Sequence, residues 1–102
     1  MEPDFKLSGD GDGTFILAGE LDLATSRILL DSFHPPSLAG KALVFELSGL
    51  TFIDSSGVQS LLIILDALGT GRMTLRGIPP NVGAIFKMVG LPDLDNLALS
   101  DD

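Results

Sequence analysis

Residues 42–68 read ALVFELSGLTFIDSSGVQSLLIILDAL, and this stretch decides the fold. Its first part, residues 42–47, is mostly apolar, which predicts a central strand covered on both faces. Residues 48–53 are expected to form a loop. Beyond them, apolar residues recur at the spacing of one helix face, and this predicts a helix. We assign its core stripe to Val58, Leu61, Leu62, Leu65 and Leu68.

The segments before this stretch predict a hairpin followed by a helix. Residues 5–8 form a short edge strand, residues 9–13 (Gly-Asp-Gly-Asp-Gly) a tight turn, and residues 14–18 the returning strand. Asp22 is a candidate N-cap for a helix over residues 23–33. His34-Pro35-Pro36 is expected to end that helix, because the residue before a proline is disfavoured in helical conformation.

The segments after it predict one more strand and one more helix. Gly69-Thr70-Gly71 ends the central helix, and residues 73–76 form a strand. Pro79-Pro80 opens a helix with a core stripe of Val82, Ile85, Phe86 and Val89. Gly90 ends this helix, Leu91 makes the accompanying apolar contact, and residues 96–99 form a short strand or coil.

The order of these elements predicts an α/β fold with a small mixed sheet. Strand–helix–strand connections imply parallel neighbours joined by right-handed crossovers. We expect four or five strands flanked by helices, in a single domain over residues 1–102.

Charge and composition exclude several classes of function. The chain has 14 acidic and 6 basic residues, a net charge of −8, and no cysteine. The basic residues are scattered, so no stripe could follow a nucleic acid, and the negative charge disfavours anionic membranes. No apolar run approaches the roughly 20 residues that span a bilayer. We therefore expect a soluble cytoplasmic protein without nucleic-acid or membrane partners.

The tetrapeptide Asp54-Ser55-Ser56-Gly57 opens the most apolar helix and has two readings. In the structural one, Asp54 is a helix N-cap that accepts an N–H from Ser56 or Gly57. In the functional one, Ser55 lies where free amides and the helix dipole favour an anion. A phosphoryl group there would be tolerated by the fold, yet would add about −1.5 to −2 charges to a docking surface.

Three segments give the chain a specific family resemblance: Gly19-Glu20-Leu21-Asp22, then Ile53-Asp54-Ser55-Ser56-Gly57, then Pro79-Pro80-Asn81-Val82 continuing through Phe86, Val89, Gly90 and Leu91. Over residues 15–94 the chain resembles a STAS domain of the bacterial anti-sigma-factor antagonist type. The resemblance implies partner switching without catalytic residues, cofactor or metal in this chain. An unphosphorylated antagonist binds an anti-sigma factor serine kinase and releases a sigma factor.

The resemblance also implies which residues act. Phosphorylation of Ser55 by the kinase would separate the complex, and a PP2C-type phosphatase would restore it. Asp22 and Asp54 match positions on or near the kinase-binding surface. Around them we expect Leu23, Ser56, Gly57, Gln59 and Ile63 to contribute to partner binding. Ile63, and with it Ile64, is left on the flank of the helix once the core stripe is assigned. Gln59 departs from the small residue that the family often has there, and a weak homodimer is also expected.

Competing motifs fit poorly. Asp10-Gly11-Asp12-Gly13 lacks the glycine and the glutamate of a calcium loop, since Phe15 and Leu21 occupy those positions. A serine hydrolase would need a base near Ser55 or Ser56, but the only histidine is His34. The open alternative is a STAS module of a transport or stressosome-type complex that is not regulated by phosphorylation at Ser55.

Overall fold

The computed structural model describes residues 4–9, 13–33 and 35–100. The turn predicted at residues 9–13 falls largely outside these ranges, as does His34. The elements, in chain order, are β1 (Phe5–Gly9), β2 (Thr14–Leu21), α1 (Ser26–Asp31), α2 (Pro35–Leu38), β3 (Ala42–Ile53), α3 (Ser55–Leu68), β4 (Arg72–Arg76), α4 (Pro80–Met88), a 3₁₀ turn (Leu91–Asp93) and β5 (Leu97–Leu99).

The sheet is mixed, as the sequence predicts. Its five strands follow the order β1-β2-β3-β4-β5. β1 is antiparallel to β2, and the pairs β2–β3, β3–β4 and β4–β5 are parallel. Each pair of parallel strands is connected through at least one helix. Because β2 and β3 run in the same direction, their carboxyl ends lie at one edge of the sheet.

One face of the sheet holds the core. Phe45 of β3 is in register with Phe15 of β2 and with Leu75 of β4. The rings of Phe15 and Phe33 pack against Phe45 with centroid distances of 5.9 and 5.7 Å. Phe33 follows α1, and its ring meets that of Phe45 edge-on. Aromatic pairs prefer this arrangement.

The expectation that β3 is covered on both faces is wrong. One position further along the strands, Ile16, Glu46 and Arg76 are aligned on the opposite face. Ile16 is 49 % exposed, and Arg76 Nε lies 2.7 Å from Glu46 Oε2 in an exposed ion pair. This face is therefore only partly covered. A charged pair in the middle of the sheet is compatible with that, since removing both charges from water would cost desolvation free energy.

Two predicted boundaries are also wrong. Residues 48–53 are not a loop, because β3 continues as a 12-residue strand and pairs with β2 as far as Ile53 opposite Leu21. The first helix does not begin at Leu23. A hydrogen-bonded turn precedes it, and α1 begins at Ser26 with Thr25 as its N-cap. The predicted end of that helix is close to the observed one, since α1 ends at Asp31 and a separate short helix, α2, begins at Pro35.

Two apolar residues of α3 lie on the other side of the helix from the one predicted, and one predicted core residue of α4 lies beyond the end of its helix. On α3, Leu62 is exposed and Ile64 is buried, the reverse of the assignment from spacing. On α4, Val82 and Phe86 are buried as predicted, but Val89 lies beyond the end of the helix and is exposed. The buried stripe of α3 therefore differs from the prediction at these two positions, and that of α4 ends before Val89.

The unequal faces of the sheet predict unequal costs for two truncations. Phe45→Ala should lower the free energy of unfolding by about 3–5 kcal/mol, because it opens a cavity in the aromatic cluster. Ile16→Ala, one register position away on the partly covered face, should cost less than about 1 kcal/mol. Urea unfolding of both variants measures the difference, and equal losses would contradict this description of the sheet.

Candidate functional site

The start of α3 is fixed by Asp54. Its backbone is extended, and its Oδ1 accepts the Gly57 N–H at 3.0 Å, which confirms the predicted N-cap. Its carbonyl accepts the Val58 N–H, also at 3.0 Å. The amides of Ser55 and Ser56 precede the first intrahelical bond and so have no acceptor within the helix. Two donors therefore remain open at the positive end of a 14-residue helix.

Ser55 is the accessible hydroxyl of this helix start. Its side chain is exposed and makes no hydrogen bond to any residue that the structure describes. Ser60 differs, since it is buried and its hydroxyl donates to the Gly57 carbonyl at 2.6 Å. Ser56 is half-buried, and Gln59 is exposed one turn from Ser55. Ser55 is therefore the most accessible of the three serine residues of α3.

Gly57 places the helix start directly on the end of β2. A Cβ on Gly57 would overlap the carbonyl oxygen of Leu21 and would lie 2.7 Å from Ile53 Cγ1. Only glycine allows this approach without a shift of the backbone. Gly57 is buried, so it allows the close packing of the helix start on β2 and offers no side chain to a partner.

The turn after β2 forms the second part of the site. Asp22 and Thr25 bond reciprocally: the Thr25 N–H donates to Asp22 Oδ1 at 3.0 Å, and the Asp22 N–H donates to Thr25 Oγ1 at 2.9 Å. The Thr25 hydroxyl donates to the Glu20 carbonyl at 2.7 Å. Asp22 therefore caps the turn before α1 and not α1 itself. This closed network leaves Leu23 at the tip of the turn, 73 % exposed.

The two parts meet at the carboxyl edge of the sheet. The Asp54 N–H donates to the Leu21 carbonyl at 3.2 Å, and Leu21 is in register with Ile53. Asp22 and Asp54 each follow one of this neighbouring pair of strand residues. The structure thus brings together the predicted residues Asp22, Leu23, Asp54 and Ser55. Ile63 lies farther along α3 and is exposed there.

Three residues of this edge escaped the sequence analysis. The Asn81 side-chain amide donates to the Thr51 carbonyl at 3.0 Å, and the Thr51 hydroxyl donates to the Gly19 carbonyl at 3.1 Å. Phe52, in register with Glu20, is 45 % exposed. Thr51 and Phe52 were missed because residues 48–53 were assigned to a loop, and the role of Asn81 was missed because it depends on a contact with Thr51, 30 residues away. A continuous strand places Phe52 and Ile53 on opposite faces, so the alternation of side chains could have identified Phe52.

The described residues form neither a metal-binding group nor an ion pair at this edge. Among them, no group of three metal-binding side chains comes together. Within the same ranges the one ion pair is Glu46–Arg76, so Glu20, Asp22 and Asp54 have no basic partner. No described helix is long and apolar enough to cross a membrane.

In this arrangement a helix start and two strand ends form one surface at the carboxyl edge of the sheet. The chain belongs to the STAS domain family, whose model matches residues 8–101. The predicted family and fold class are thereby confirmed. No curated protein sequence matches the chain. STAS domains are generally non-enzymatic binding modules.

Solved structures share this fold. A candidate anti-sigma factor antagonist from Thermotoga maritima superposes with a TM-score of 0.74 at 18 % identity, covering 96 % of this chain and 86 % of that one. The Bacillus cell-fate determinant SpoIIAA in its phosphorylated form gives 0.66 at 25 % identity, covering 93 % and 89 %. A sulfate transporter family protein from Wolinella succinogenes gives 0.68 at 14 % identity, covering 92 % and 81 %.

The close contact of Gly57 with the end of β2 predicts that a Gly57→Ala substitution destabilises the domain. Gly→Ala within a helix ordinarily stabilises by about 0.4–1 kcal/mol, and Gly83→Ala in α4 should do so, because its new Cβ would lie 3.4 Å from Ile78 Cγ2. Gly57→Ala should instead lower the free energy of unfolding by about 1–3 kcal/mol through overpacking. Thermal and urea unfolding test the pair. Two stabilised variants would contradict the close contact between Gly57 and Leu21.

Two substitutions of Asp54 distinguish its role as a helix cap from the effect of its negative charge. Asp54→Ala removes the bond to the Gly57 N–H and should cost about 0.5–2 kcal/mol of stability. Asp54→Asn keeps a side-chain oxygen in the same place and should cost much less. Urea unfolding compares them, and an Asn variant as unstable as the Ala variant would show that the carboxylate charge, and not the cap, holds the helix start.

Proposed function

We propose that this STAS domain is an anti-sigma-factor antagonist that works by partner switching. Its unphosphorylated form binds an anti-sigma factor with serine-kinase activity, and a sigma factor is released. The kinase phosphorylates Ser55, the complex separates, and a PP2C-type phosphatase returns the domain to its binding form. The chemistry belongs to the partner, which supplies ATP and Mg²⁺, while Ser55 supplies the attacking hydroxyl.

The observation that carries this proposal is the environment of Ser55. Its hydroxyl is exposed and makes no hydrogen bond within the described part of the chain, so modification breaks no native interaction. The open amides at the start of α3 and the dipole of its 14 residues favour an added anion. A phosphoserine at this position is therefore compatible with the folded domain.

The same modification would disrupt a complex. For Ser55 to be phosphorylated, it must dock against the γ-phosphate of ATP on the kinase. After transfer, about −1.5 to −2 charges on Ser55 would face the remaining nucleotide phosphates. Asp54, the half-buried neighbour of Ser55, adds a further carboxylate on this side of the interface. Repulsion and bulk then act on the interface with the kinase and not on the fold.

The similarity to solved anti-sigma factor antagonists supports an anti-sigma factor as the class of partner. SpoIIAA, an anti-sigma factor antagonist, has been solved in unphosphorylated and phosphorylated forms, so its fold exists with and without the modification. A second candidate function is a STAS module of a transport-type complex, and the similarity to the sulfate transporter family protein fits it. That module would use the same edge of the sheet without a phosphoryl group on Ser55.

Two substitutions at Ser55 test the switch. Ser55→Asp should weaken binding to the anti-sigma factor kinase by more than about tenfold, which is about 1.4 kcal/mol, because it places a carboxylate against the nucleotide phosphates. Ser55→Ala should bind as the wild type does. Isothermal titration with the histidine-kinase-like serine kinase of the same genome measures both affinities. Equal affinities of the two variants would contradict the electrostatic part of the mechanism.

Phosphorylation itself separates the two candidate functions. Incubation with that kinase and ATP, followed by mass spectrometry, should label Ser55 in the wild type and in Ser56→Ala, because Ser55 is the exposed hydroxyl of the pair. Ser55→Ala should remain unlabelled. A wild-type chain without label on Ser55 would favour the transport-type module.

A further inference from the structure

Phe52 is an exposed aromatic residue that neither the fold nor the switch explains. Its neighbour Ile53 is buried beneath α3, whereas Phe52 lies on the partly covered face of the sheet with 45 % of its surface exposed. It is in register with Glu20 on β2 and stands three residues before Ser55. Large exposed aromatic residues are enriched at the centres of protein interfaces.

The backbone around Phe52 is held on both sides. On one side, the Thr51 hydroxyl donates to the Gly19 carbonyl of β2. On the other, the Asn81 side chain from α4 donates to the Thr51 carbonyl, at a part of β3 that extends beyond its pairing with β4. A ring on a fixed backbone loses little further conformational entropy when a partner covers it. The strand segment that presents Phe52 to solvent is therefore attached to both β2 and α4.

The charges near Phe52 define the partner. Glu20, Asp22 and Asp54 carry carboxylates at the same edge, and no basic residue within the described ranges pairs with them. Leu23 adds a second exposed apolar side chain on the turn that Asp22 closes. An apolar centre with unpaired carboxylates around it complements a partner that has an apolar pocket with basic residues at its rim.

We infer that Phe52 is an anchor of the partner interface, received in an apolar pocket of the anti-sigma factor kinase whose rim carries basic side chains facing Glu20. This inference rests on the proposed function and extends the proposed partner interface from the start of α3 onto the partly covered face of the sheet. Asn81 is then a positioning residue, because its bond to Thr51 holds the strand that presents the ring.

The experiment compares two exposed apolar residues on one face. Phe52→Ala should weaken binding to the kinase by at least about tenfold, as truncation of an interface anchor does. The matched control is Ile16→Ala, since Ile16 is 49 % exposed on the same face but lies at mid-sheet opposite Glu46. It should bind within twofold of the wild type. Titration calorimetry gives both affinities, and circular dichroism checks that both variants fold.

Two further variants keep the inference testable. Phe52→Leu retains an apolar side chain, folds even where the alanine variant does not, and should bind more weakly than the wild type. Glu20→Gln should slow association with the kinase and reduce the dependence of the association rate on salt. Stopped-flow measurements at two ionic strengths give that rate.

The outcomes distinguish the inference from the proposed function. If Phe52→Ala and Phe52→Leu bind as the wild type does while Ser55→Asp does not bind, the anchor is wrong and the switch stands. The anchor is also wrong if Ile16→Ala loses as much affinity as Phe52→Ala. If the wild type itself neither binds the kinase nor is labelled by it, the proposed function fails, and the inference fails with it.

Discussion

The close contact between Gly57 and the end of β2 is the constraint on which the site depends. The absence of a side chain lets the first turn of α3 rest against the Leu21 carbonyl and Ile53. Asp54 then caps that turn and also donates its own N–H to Leu21. A helix start, rather than a helix face, is thereby fixed at the edge of the sheet. The role proposed for Ser55 depends on this placement.

The same contact explains why two distant segments act as one surface. Leu21 ends β2, and the Asp22–Thr25 turn begins immediately after it. Because Leu21 is bonded to Asp54, the turn and the helix start cannot move independently without breaking backbone hydrogen bonds. Asn81 attaches the first turn of α4 to the same edge through Thr51. Hydrogen bonds therefore hold the surface where the proposed partner would dock, and a phosphoryl group on Ser55 would change its charge rather than its shape.

The sequence was most informative where local rules act alone. Asp54 as a helix cap, the glycine after α3 and the proline start of α4 depend on neighbouring residues, and all three appear in the structure. The mixed sheet also followed from the order of strands and helices. The assignments that failed depend on tertiary contacts. Residues 48–53 were predicted to form a loop, yet pairing with β2 holds them in a strand.

The candidate site was predicted in the same uneven way. Asp22, Asp54 and Ser55 were found from motifs, whereas Phe52 and Asn81 were not, because their significance comes from register and from a contact 30 residues apart. Leu62 and Ile64 exchanged sides for a related reason. Both are leucine-like in size and hydropathy, so the spacing could not decide which one α1, α2 and the sheet would cover.

The most direct test of the central claim is the stability of the domain carrying phosphate on Ser55. Urea unfolding should give a free energy equal to that of the unmodified protein or higher by up to about 1 kcal/mol, since the helix start accepts the anion. A loss of more than about 2 kcal/mol would contradict the account, because the phosphoryl group would then act by unfolding the domain and not by separating it from its partner.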